Sequence, residues 1–588
     1  MPTASTKQLR RKKRQPQKEL QRSGVLTQPN VAGEREFSDR TWRIASLAII
    51  AVAAALRLYD LDLVPLHHDE GVNGNFLVRL VREGKYEYDP ANYHGPTLYY
   101  FSAILPWIFR FLFGVTAQNT YGLTTFSIRL IPVLFGLGTI LLALQLRRRL
   151  GNVGALSAAG LIAISPGAVY LSRYFIHETL FLFFTIGIVV ALLDFYDDGH
   201  PVYLVLAAIS AALLFATKET AIISAGVLLI AFFTAHLFLW FHPKQQTPKS
   251  GSSKRQEASV KRRNPFSEIY SVLMDRVGGK NRLLFWSFVA LVVFVGLNVL
   301  FYSSFFTNFP KGVTDALKTF EFWTKTGKEA HVHDWKIYFR WLVFQESPLL
   351  FLGTFGAAIV VLRPRNLFAL FCALWAFGLI AAYSLIAYKT PWLTLNFIIP
   401  LALIGGYALQ YVSELPSIPT RAVIVLSAVA VAISGSQTLD LNFRNYDNDK
   451  PGYVYVYAHT HRETLKLVDE INRIAKETGQ SGEVGITIVS PDYWPLPWYL
   501  RDYGRVGYHG RLTDTNEALI VASDAQLAEV QERFGFRYQQ VPSPFNSSGT
   551  FLLRPGVKLL LFLRRDIDHR SRIGTRQKNS SLAGELML

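Results

Sequence analysis

The feature that most constrains this chain is a series of apolar runs, each close to the length that crosses a bilayer. About eleven such runs lie at 43–58, 126–146, 153–172, 179–195, 201–217, 220–241, 283–303, 347–362, 366–387, 392–412 and 421–438. Hydrophobic runs of this length with few charges are typical of transmembrane helices. The sequence therefore predicts an α-helical polytopic membrane protein.

Composition and charge agree with a large membrane body. The chain has 588 residues, of which 50% are hydrophobic and 18% are charged. Of the net charge of +18, residues 1–43 and residues 242–282 carry +7 each. This segregation excludes an evenly basic surface for nucleic acid, and no nucleic-acid partner is expected. Cys372 is the only cysteine, which excludes an intrachain disulfide and a cysteine-based metal site.

The basic segments set the predicted orientation of a transmembrane domain at 43–438. Cytoplasmic loops of membrane proteins are enriched in Lys and Arg, so the disordered basic tail 1–42 and the basic loop 242–282 are placed in the cytoplasm. This orientation requires 97–113 to lie along the outer surface as a juxtamembrane helix. Residues 59–125 then form the first external loop, and the chain is a multi-pass protein of the plasma membrane.

After residue 438 the pattern changes to that of a soluble unit. Residues 461–477 and 524–534 have the periodicity of helices. Residues 484–490 and 518–523 have the short apolar pattern of buried strands. Alternating strands and helices predict a small extracytoplasmic α/β domain at 439–566. The segment 553–566 fits either a last strand or an interfacial helix, and 567–588 is predicted to be disordered.

The sharpest chemical feature is a pair of carboxylates in the first external loop. Asp69 and Glu70 follow His67 and His68 and precede Gly71. Adjacent carboxylates diverge on a helix, so one can remove a proton while the other orients a partner or binds a cation. The structural alternative is an acidic residue that caps the helix beginning here. The two interpretations do not exclude each other.

Further polar residues lie where predicted spans reach the outer surface. They are His94, Arg173, Tyr174, His177, Glu178, Lys218, Glu219 and Lys389. Ionisable groups at these positions are costly and indicate function, and Arg and Lys suit a phosphate. Snorkelling side chains and salt bridges between helices are the structural alternatives. The pattern at His331, His333 and Asp334 favours an aromatic loop over a metal site.

Together these residues favour chemistry on a lipid whose phosphate lies at the outer leaflet. In the predicted topology, carboxylates on two external loops and cations at the outward ends of spans share one face. Transfer of a sugar from such a lipid requires a base for the acceptor and positive charge for the departing phosphate.

Several segments resemble one class of membrane enzyme. HHDEGVNGNFLVRLVREGKYEYDPANYHGPTLYYFSA resembles the first external loop of GT-C glycosyltransferases. RYFIHET, LFATKET, YKTPWL and WPLPWYLRDYG resemble later motifs of a prokaryotic family, the flippase activity-associated proteins. That family is related to the protein O-mannosyltransferases and the lipid A aminoarabinose transferases. The resemblance covers roughly 43–563.

The resemblance implies a GT-C fold and a polyprenyl-phosphate sugar as the donor. By position, Asp69 matches the general base and Glu70 its acidic neighbour. Glu178 matches the acidic position of the second external loop, which orients the acceptor or a divalent cation. A metal site implied in this way, for Mg²⁺ or Mn²⁺, would involve Asp69 and Glu178, and no other cofactor is implied.

The sequence therefore predicts an inverting, extracytoplasmic glycosyltransferase that transfers a hexosyl or pentosyl group to a protein, lipid or glycan acceptor. Asp69, Glu70 and Glu178 are the candidate catalytic residues. The candidate substrate-binding residues are His68, His94, Arg173, Tyr174, His177, Lys218, Glu219 and Lys389. The alternative is a non-catalytic flippase for lipid-linked oligosaccharides, or its accessory protein, which would place polar residues in the middle of several spans.

Overall fold

The computed structural model describes residues 37–91, 94–114, 122–241, 265–326, 332–364 and 366–567. Three predicted segments lie partly outside these residues: only 37–42 of the basic tail 1–42, 265–282 of the basic loop 242–282 and residue 567 of the tail 567–588 are described. His331 also lies outside them. Within the described residues the chain is mostly helical, and its strands all lie in the C-terminal part.

Twenty α-helices are described. In chain order they are α1 Asp39–Leu58, α2 His68–Glu83, α3 Thr97–Phe113, α4 Thr125–Gln145, α5 Arg147–Ile164, α6 Pro166–Ser172, α7 Glu178–Asp198, α8 Pro201–Phe215, α9 Ala221–Phe241, α10 Pro265–Val277, α11 Lys280–Tyr302, α12 Lys311–Thr326, α13 Ile337–Gln345, α14 Ser347–Leu362, α15 Leu367–Leu385, α16 Leu395–Ser413, α17 Thr420–Leu439, α18 Glu463–Glu477, α19 Leu496–Tyr499 and α20 Leu527–Phe534.

Among the described residues, eight helices are long and apolar enough to cross a membrane, which confirms the predicted multi-span helical fold. The number rises to ten if each of two bent pairs is one span: α5 with α6, bent by 58°, and α13 with α14, bent by 114°. The second helix of each pair carries a proline in its first turn, Pro166 and Pro348. Proline fits there because the first turn needs no backbone N–H partner. The predicted number of eleven is not confirmed.

Two shorter apolar helices complete the bundle. They are α3 and α8, with 17 and 15 residues. The helix at 97–113 was predicted to be juxtamembrane, and its 17 residues are consistent with that prediction without testing its orientation.

The helix at the centre of the bundle is α16. In the apolar 18-residue stretch of residues 391–413, which comprise α16 and the short 3₁₀ turn before it, 94% of the residues are buried. The corresponding value for α11 is 6%. Three helices, α5, α14 and α15, pack around α16. A helix that is apolar on all sides is typical of such a buried position, and α11 instead lies at the periphery.

The C-terminal part contains one six-stranded sheet. Its strands are β1 Ile486–Ile488, β2 Val506–Tyr508, β3 Leu519–Ser523, β4 Tyr538–Gln540, β5 Thr550–Arg554 and β6 Val557–Arg564. The order is β2-β1-β3-β6-β4, and β5 pairs with β6. β1, β2 and β3 are parallel, whereas β6 is antiparallel to β3, β4 and β5.

Both predicted strand patterns and both predicted helical patterns of this region are found in the sheet and in α18 and α20. The open choice at 553–566 is resolved in favour of a strand, β6. A tight turn at Gly556, whose φ of +79° suits glycine, connects β5 to β6.

Candidate functional site

The HHDE segment lies at the N-terminus of α2. The His67 side chain caps the helix by accepting the backbone N–H of Asp69, with 3.2 Å between nitrogens. The Glu70 side chain accepts the backbone N–H of His67 at 2.9 Å, which completes a capping box. The helix start expected at this point is therefore present, with His67 rather than Asp69 as the capping residue.

Glu70 is fully buried, and both of its carboxylate oxygens accept hydrogen bonds from the protein. Arg129 of α4 donates from Nε to Oε1 at 2.8 Å and from Nη2 to Oε2 at 2.7 Å. The backbone N–H of Phe175 also donates to Oε1, at 2.7 Å. With the His67 N–H, Glu70 thus receives four donors. These contacts join the first turn of α2, α4 and the segment between α6 and α7 at one carboxylate.

Asp69 is the open member of the pair. Its side chain is 42% exposed, and its nearest ionisable partner is His67, with 3.9 Å between Nδ1 and Oδ2. The two adjacent carboxylates therefore point apart, one into the protein and one towards its surface. Of the two, only Asp69 has a carboxylate that can reach a substrate without first losing a protein partner.

The two histidines before Asp69 have different partners. His67 Nε2 lies 3.0 Å from the carbonyl oxygen of Tyr457, so this nitrogen carries the proton and donates. His68 Nδ1 lies 3.2 Å from Arg554 Nη1. Burial lowers the pKa of His68, which favours the neutral ring.

A second polar cluster forms where three connections between helices meet. Lys218 Nζ donates to Glu178 Oε1 at 2.6 Å, and both side chains are buried. His94 Nδ1 lies 3.5 Å from Glu219 Oε2. The rings of His94 and His177 are 4.9 Å apart between centroids. The sequence predicted that His94, His177, Glu178, Lys218 and Glu219 share one face, and the structure brings them together. The structural alternative for Lys218, a salt bridge, is present in the form of its bond to Glu178.

Backbone contacts hold this second cluster in place. The N–H of Gly95 donates to the carbonyl of Thr217 at 3.0 Å. A Cβ on Gly95 would lie 2.0 Å from the carbonyl oxygen of Ala216, so only glycine permits this approach. The imidazole of His177 also lies 3.0 Å, through Nε2, from the Gly95 carbonyl oxygen.

Buried side chains connect the HHDE segment to the second cluster. Asn73 of α2 donates to the carbonyl of Phe175 at 3.0 Å and accepts from the hydroxyl of Tyr99 at 2.9 Å. The Tyr99 ring packs edge-on against His177 at 5.5 Å. Since Phe175 also donates to Glu70, the contacts run without a gap from one cluster to the other.

Two of the predicted phosphate-binding cations contact backbone carbonyls. Arg173 donates from Nη2 to the Asp60 carbonyl at 2.7 Å and from Nη1 to three carbonyls at the C-terminal end of α1. Lys389 donates to the carbonyl of His333 at 3.2 Å and to that of Ile386. Burial lowers the pKa of Lys389. In this structure both side chains satisfy the ends of helices or loops.

Tyr174 lies beside Arg129 and Arg173. Its hydroxyl is 2.7 Å from that of Tyr170, and its ring is 5.8 Å from the Arg129 guanidinium carbon. The two tyrosines, Arg129, Arg173, Val64 and Asn442 line a cavity of about 10 Å³. A cavity of this size holds about one water molecule, which is too little for a phosphate group.

The residues present do not fit a metal ion held by Glu178. The Lys218 ammonium already lies on that carboxylate. Among the described residues, no group of three or more His, Cys, Asp and Glu side chains could hold a metal ion. The implied site at Asp69 and Glu178 therefore finds no support in the donor set.

The sequence pattern gave no indication of several residues that build this site. Arg129 lies inside an apolar run that was assigned only to a span. Tyr499, whose hydroxyl accepts the backbone N–H of Leu66 at 2.8 Å, lies in the WPLPWYLRDYG segment. Trp498 of the same segment is buried beside α2. The resemblance of this segment to a family motif was the one signal that could have found it.

Comparison with known proteins finds a family match over part of the sequence. Residues 102–249, about a quarter of the chain, match the family described as dolichyl-phosphate-mannose-protein mannosyltransferase. No curated protein matches the sequence significantly.

Solved structures are similar to this chain over most of its length. ArnT from Cupriavidus metallidurans is 14% identical and matches with a TM-score of 0.53 in the apo state and 0.50 bound to undecaprenyl phosphate. Each match covers 90% of this chain and 99% of ArnT. The Archaeoglobus fulgidus oligosaccharyltransferase, tethered to an acceptor peptide, is 16% identical with a TM-score of 0.48 over 80% of this chain. This chain spans 64% of the length of that oligosaccharyltransferase.

The likeness to ArnT over nearly its full length defines the class of the fold. The chain has the GT-C fold, a bundle of membrane helices followed by a small C-terminal sheet region. The resemblance to the GT-C superfamily stated from the first external loop is thereby confirmed at the level of the fold. The narrower resemblance to the flippase activity-associated proteins stays a prediction.

Proposed function

We propose that this protein is a membrane glycosyltransferase that transfers a sugar from a polyprenyl-phosphate donor to a hydroxyl acceptor on the extracytoplasmic face. The observation that carries the proposal is the difference between two adjacent carboxylates at the start of α2. Glu70 is bound by four donors, whereas Asp69 is open. The GT-C fold supports a lipid-phosphate donor, since ArnT of the same fold binds undecaprenyl phosphate.

In the proposed reaction Asp69 is the general base. Its carboxylate takes the proton of the acceptor hydroxyl as the acceptor oxygen attacks the anomeric carbon of the sugar. The new carbon–oxygen bond forms as the bond between that carbon and the phosphate oxygen breaks. The polyprenyl phosphate leaves with the bonding electrons, and the sugar configuration inverts. Asp69 then releases its proton to solvent.

Glu70 acts as a positioning residue in this proposal. It holds α2 against α4 through Arg129 and against the second external loop through the Phe175 N–H. Glu178 is placed by Lys218 in the neighbouring cluster. Both carboxylates therefore shape the site around Asp69, and neither has to give up a proton or take one.

The departing phosphate requires positive charge. Arg173, Lys218 and Lys389 remain the proposed sources. Each of them already contacts an acceptor in the protein. Direct contact with a phosphate therefore requires that one of these bonds be exchanged, and Lys218 is the best placed because its partner Glu178 belongs to the same cluster.

The experiment that tests the proposal is sugar transfer by the purified protein from a panel of polyprenyl-phosphate sugars, measured with and without a chelator. The variant is Asp69→Asn, and the matched control is Asp62→Asn, which removes an exposed carboxylate from the same loop. We expect transfer by the parent and by Asp62→Asn, and a loss of about 10²- to 10⁴-fold in Asp69→Asn, the usual contribution of a general base. Equal rates in Asp69→Asn and the parent would remove Asp69 from the mechanism.

The rival function, a non-catalytic flippase for lipid-linked oligosaccharides or its accessory protein, has a different outcome. It is supported if no donor is turned over while the parent and Asp69→Asn bind the lipid equally. The structure places Lys218 and Glu219 in the connection between α8 and α9 rather than in the middle of a span, which favours the transferase.

A further inference from the structure

The C-terminal sheet region contacts the chain on both sides of the HHDE segment, residues 67–70. Tyr499 accepts the N–H of Leu66 at 2.8 Å, and Arg462 donates to the carbonyl of Leu63 at 2.7 Å. Gly71 faces Pro495 so closely that a Cβ on the glycine would lie 2.5 Å from the proline Cβ. The first turn of α2 is therefore fixed against the sheet region as well as against the membrane bundle.

One side chain of the sheet region reaches the histidine beside Asp69. Arg554 lies at the end of β5, and its Nη1 is 3.2 Å from His68 Nδ1. The other terminal nitrogen of the same guanidinium donates to the carboxylate of Asp492. The ring of Trp494 lies 6.2 Å from that of His68. Asp492 thus binds Arg554, and Trp494 packs near His68.

This contact fixes which nitrogen of His68 carries the proton. A guanidinium only donates hydrogen bonds, so His68 Nδ1 is the acceptor. In the neutral ring the proton is then on Nε2. No described residue bonds His68 Nε2, in contrast to His67, whose Nε2 donates to the carbonyl of Tyr457.

We infer that Arg554 is a positioning residue that binds His68 Nδ1 and so presents His68 Nε2–H to the substrate beside Asp69. The inference rests on the proposed function for the substrate, whereas its structural part does not depend on any activity. The neutral His68 Nε2–H can donate to a hydroxyl oxygen of the acceptor or of the sugar. The neighbouring Asp69 carboxylate accepts the proton of a hydroxyl group. The sheet region then completes the site rather than only adjoining it.

The first test needs no substrate. Diethyl pyrocarbonate acylates the unprotonated nitrogen of a neutral imidazole, which in His68 is the Nδ1 that Arg554 covers. We expect His68 to be labelled about tenfold faster at pH 7.5 in Arg554→Gln than in the parent, as loss of one charged hydrogen bond implies. Arg554→Lys should restore most of the protection. Arg505→Gln, which breaks an exposed ion pair with Glu517, is the matched control and should change nothing.

Tandem mass spectrometry separates His67 from His68 in the labelled peptide. His67 has protein partners on both ring nitrogens and should stay protected in every variant. Equal labelling of His68 in the parent and Arg554→Gln would overturn the inference. Labelling of both histidines in Arg554→Gln would also overturn it, because it would indicate general loosening of the loop.

The second test uses transfer from the polyprenyl-phosphate sugar that the parent turns over. We expect Arg554→Gln to lower kcat about tenfold with a smaller change in KM, and to have less than about a twofold effect when His68→Phe is already present. If Arg554→Gln lowered kcat equally in the parent and in His68→Phe, Arg554 would not act through His68. Absence of transfer by the parent would contradict the proposed function, whereas the labelling result would still decide the placement of Arg554.

Discussion

Arg129 and Glu70 are joined by two hydrogen bonds, Nε to Oε1 at 2.8 Å and Nη2 to Oε2 at 2.7 Å, and at most 1% of either side chain is exposed. Arg129 also donates to the carbonyls of Leu61 and Val64 at 2.6 and 2.9 Å. The pair therefore ties the loop before α2 to the N-terminal part of α4. The position of Asp69 depends on this contact, since Asp69 precedes Glu70 in the chain.

Breaking this ion pair should destabilise the whole protein. Arg129→Met leaves the Glu70 charge buried without its partner, which typically costs about 3–5 kcal/mol. We expect a clear fall in the thermal midpoint of Arg129→Met and a partial recovery when Glu70→Leu is added, because the second change removes the uncompensated charge. Arg473→Met, which disrupts an exposed pair with Glu470, should cost at most about 1 kcal/mol. Equal falls in the thermal midpoint of Arg129→Met and of Arg473→Met would contradict the buried ion pair.

The close approach of the connections that contain Gly95 and Ala216 should make Gly95 intolerant of a side chain. Gly95→Ala places a Cβ 2.0 Å from the carbonyl oxygen of Ala216, and backbone cannot yield as a flexible side chain can. We expect the free energy of unfolding to fall by about 1–3 kcal/mol. Activity should also fall, because His94 moves away from Lys218 in the second polar cluster.

Gly160→Ala is the matched control for this substitution. Gly160 lies in α5, and nothing is within 4 Å of its added Cβ. Alanine favours a helix by up to about 1 kcal/mol over glycine, so this variant should be as stable as the parent or more stable. A thermal midpoint of Gly95→Ala as high as that of Gly160→Ala would show that the two connections do not meet as described.

Stability should fall on acidification because of one buried histidine in the C-terminal part. His459 is 1% exposed, and burial, with a contribution from His461, lowers its pKa to about 3. An unfolded histidine titrates near about 6.5. Between about pH 6.5 and about pH 3 the unfolded chain therefore binds a proton that the folded chain does not, and stability decreases as the pH falls. At pH 5 the effect is about 2 kcal/mol.

Thermal midpoints at pH 7.5 and pH 5.0 measure this effect. His459→Phe keeps an aromatic ring and removes the titration, so its midpoint should fall less between the two pH values than that of the parent. His509→Phe removes an exposed histidine of the same region and should behave like the parent. A pH dependence unchanged in His459→Phe would show that another group is responsible.

Elements whose pattern is local could be predicted from the sequence. The spans follow from apolar runs, α18 and α20 from helical periodicity, and β1 and β3 from short buried-strand patterns. The divergence of Asp69 and Glu70 follows from helix geometry alone.

Contacts between distant segments could not be predicted in this way. Glu70 and Arg129 are 59 residues apart, and Arg554 is 486 residues from His68. No spacing rule connects such pairs, because their proximity depends on how the bundle and the sheet pack. For the same reason the sequence predicted Arg173 and Lys389 as cations near the outer surface, but it could not predict that helix and loop carbonyls already bind them.

The measurement that tests the central claim most directly compares Asp69→Asn with Glu70→Gln in two readouts, the initial rate of sugar transfer and the thermal midpoint. We expect Asp69→Asn to lose about 10²- to 10⁴-fold in rate with an unchanged midpoint, because its carboxylate is open. Glu70→Gln should lower the midpoint, because it weakens the buried bonds to Arg129. A stable, inactive Glu70→Gln together with a fully active Asp69→Asn would contradict the account and assign the base to Glu70.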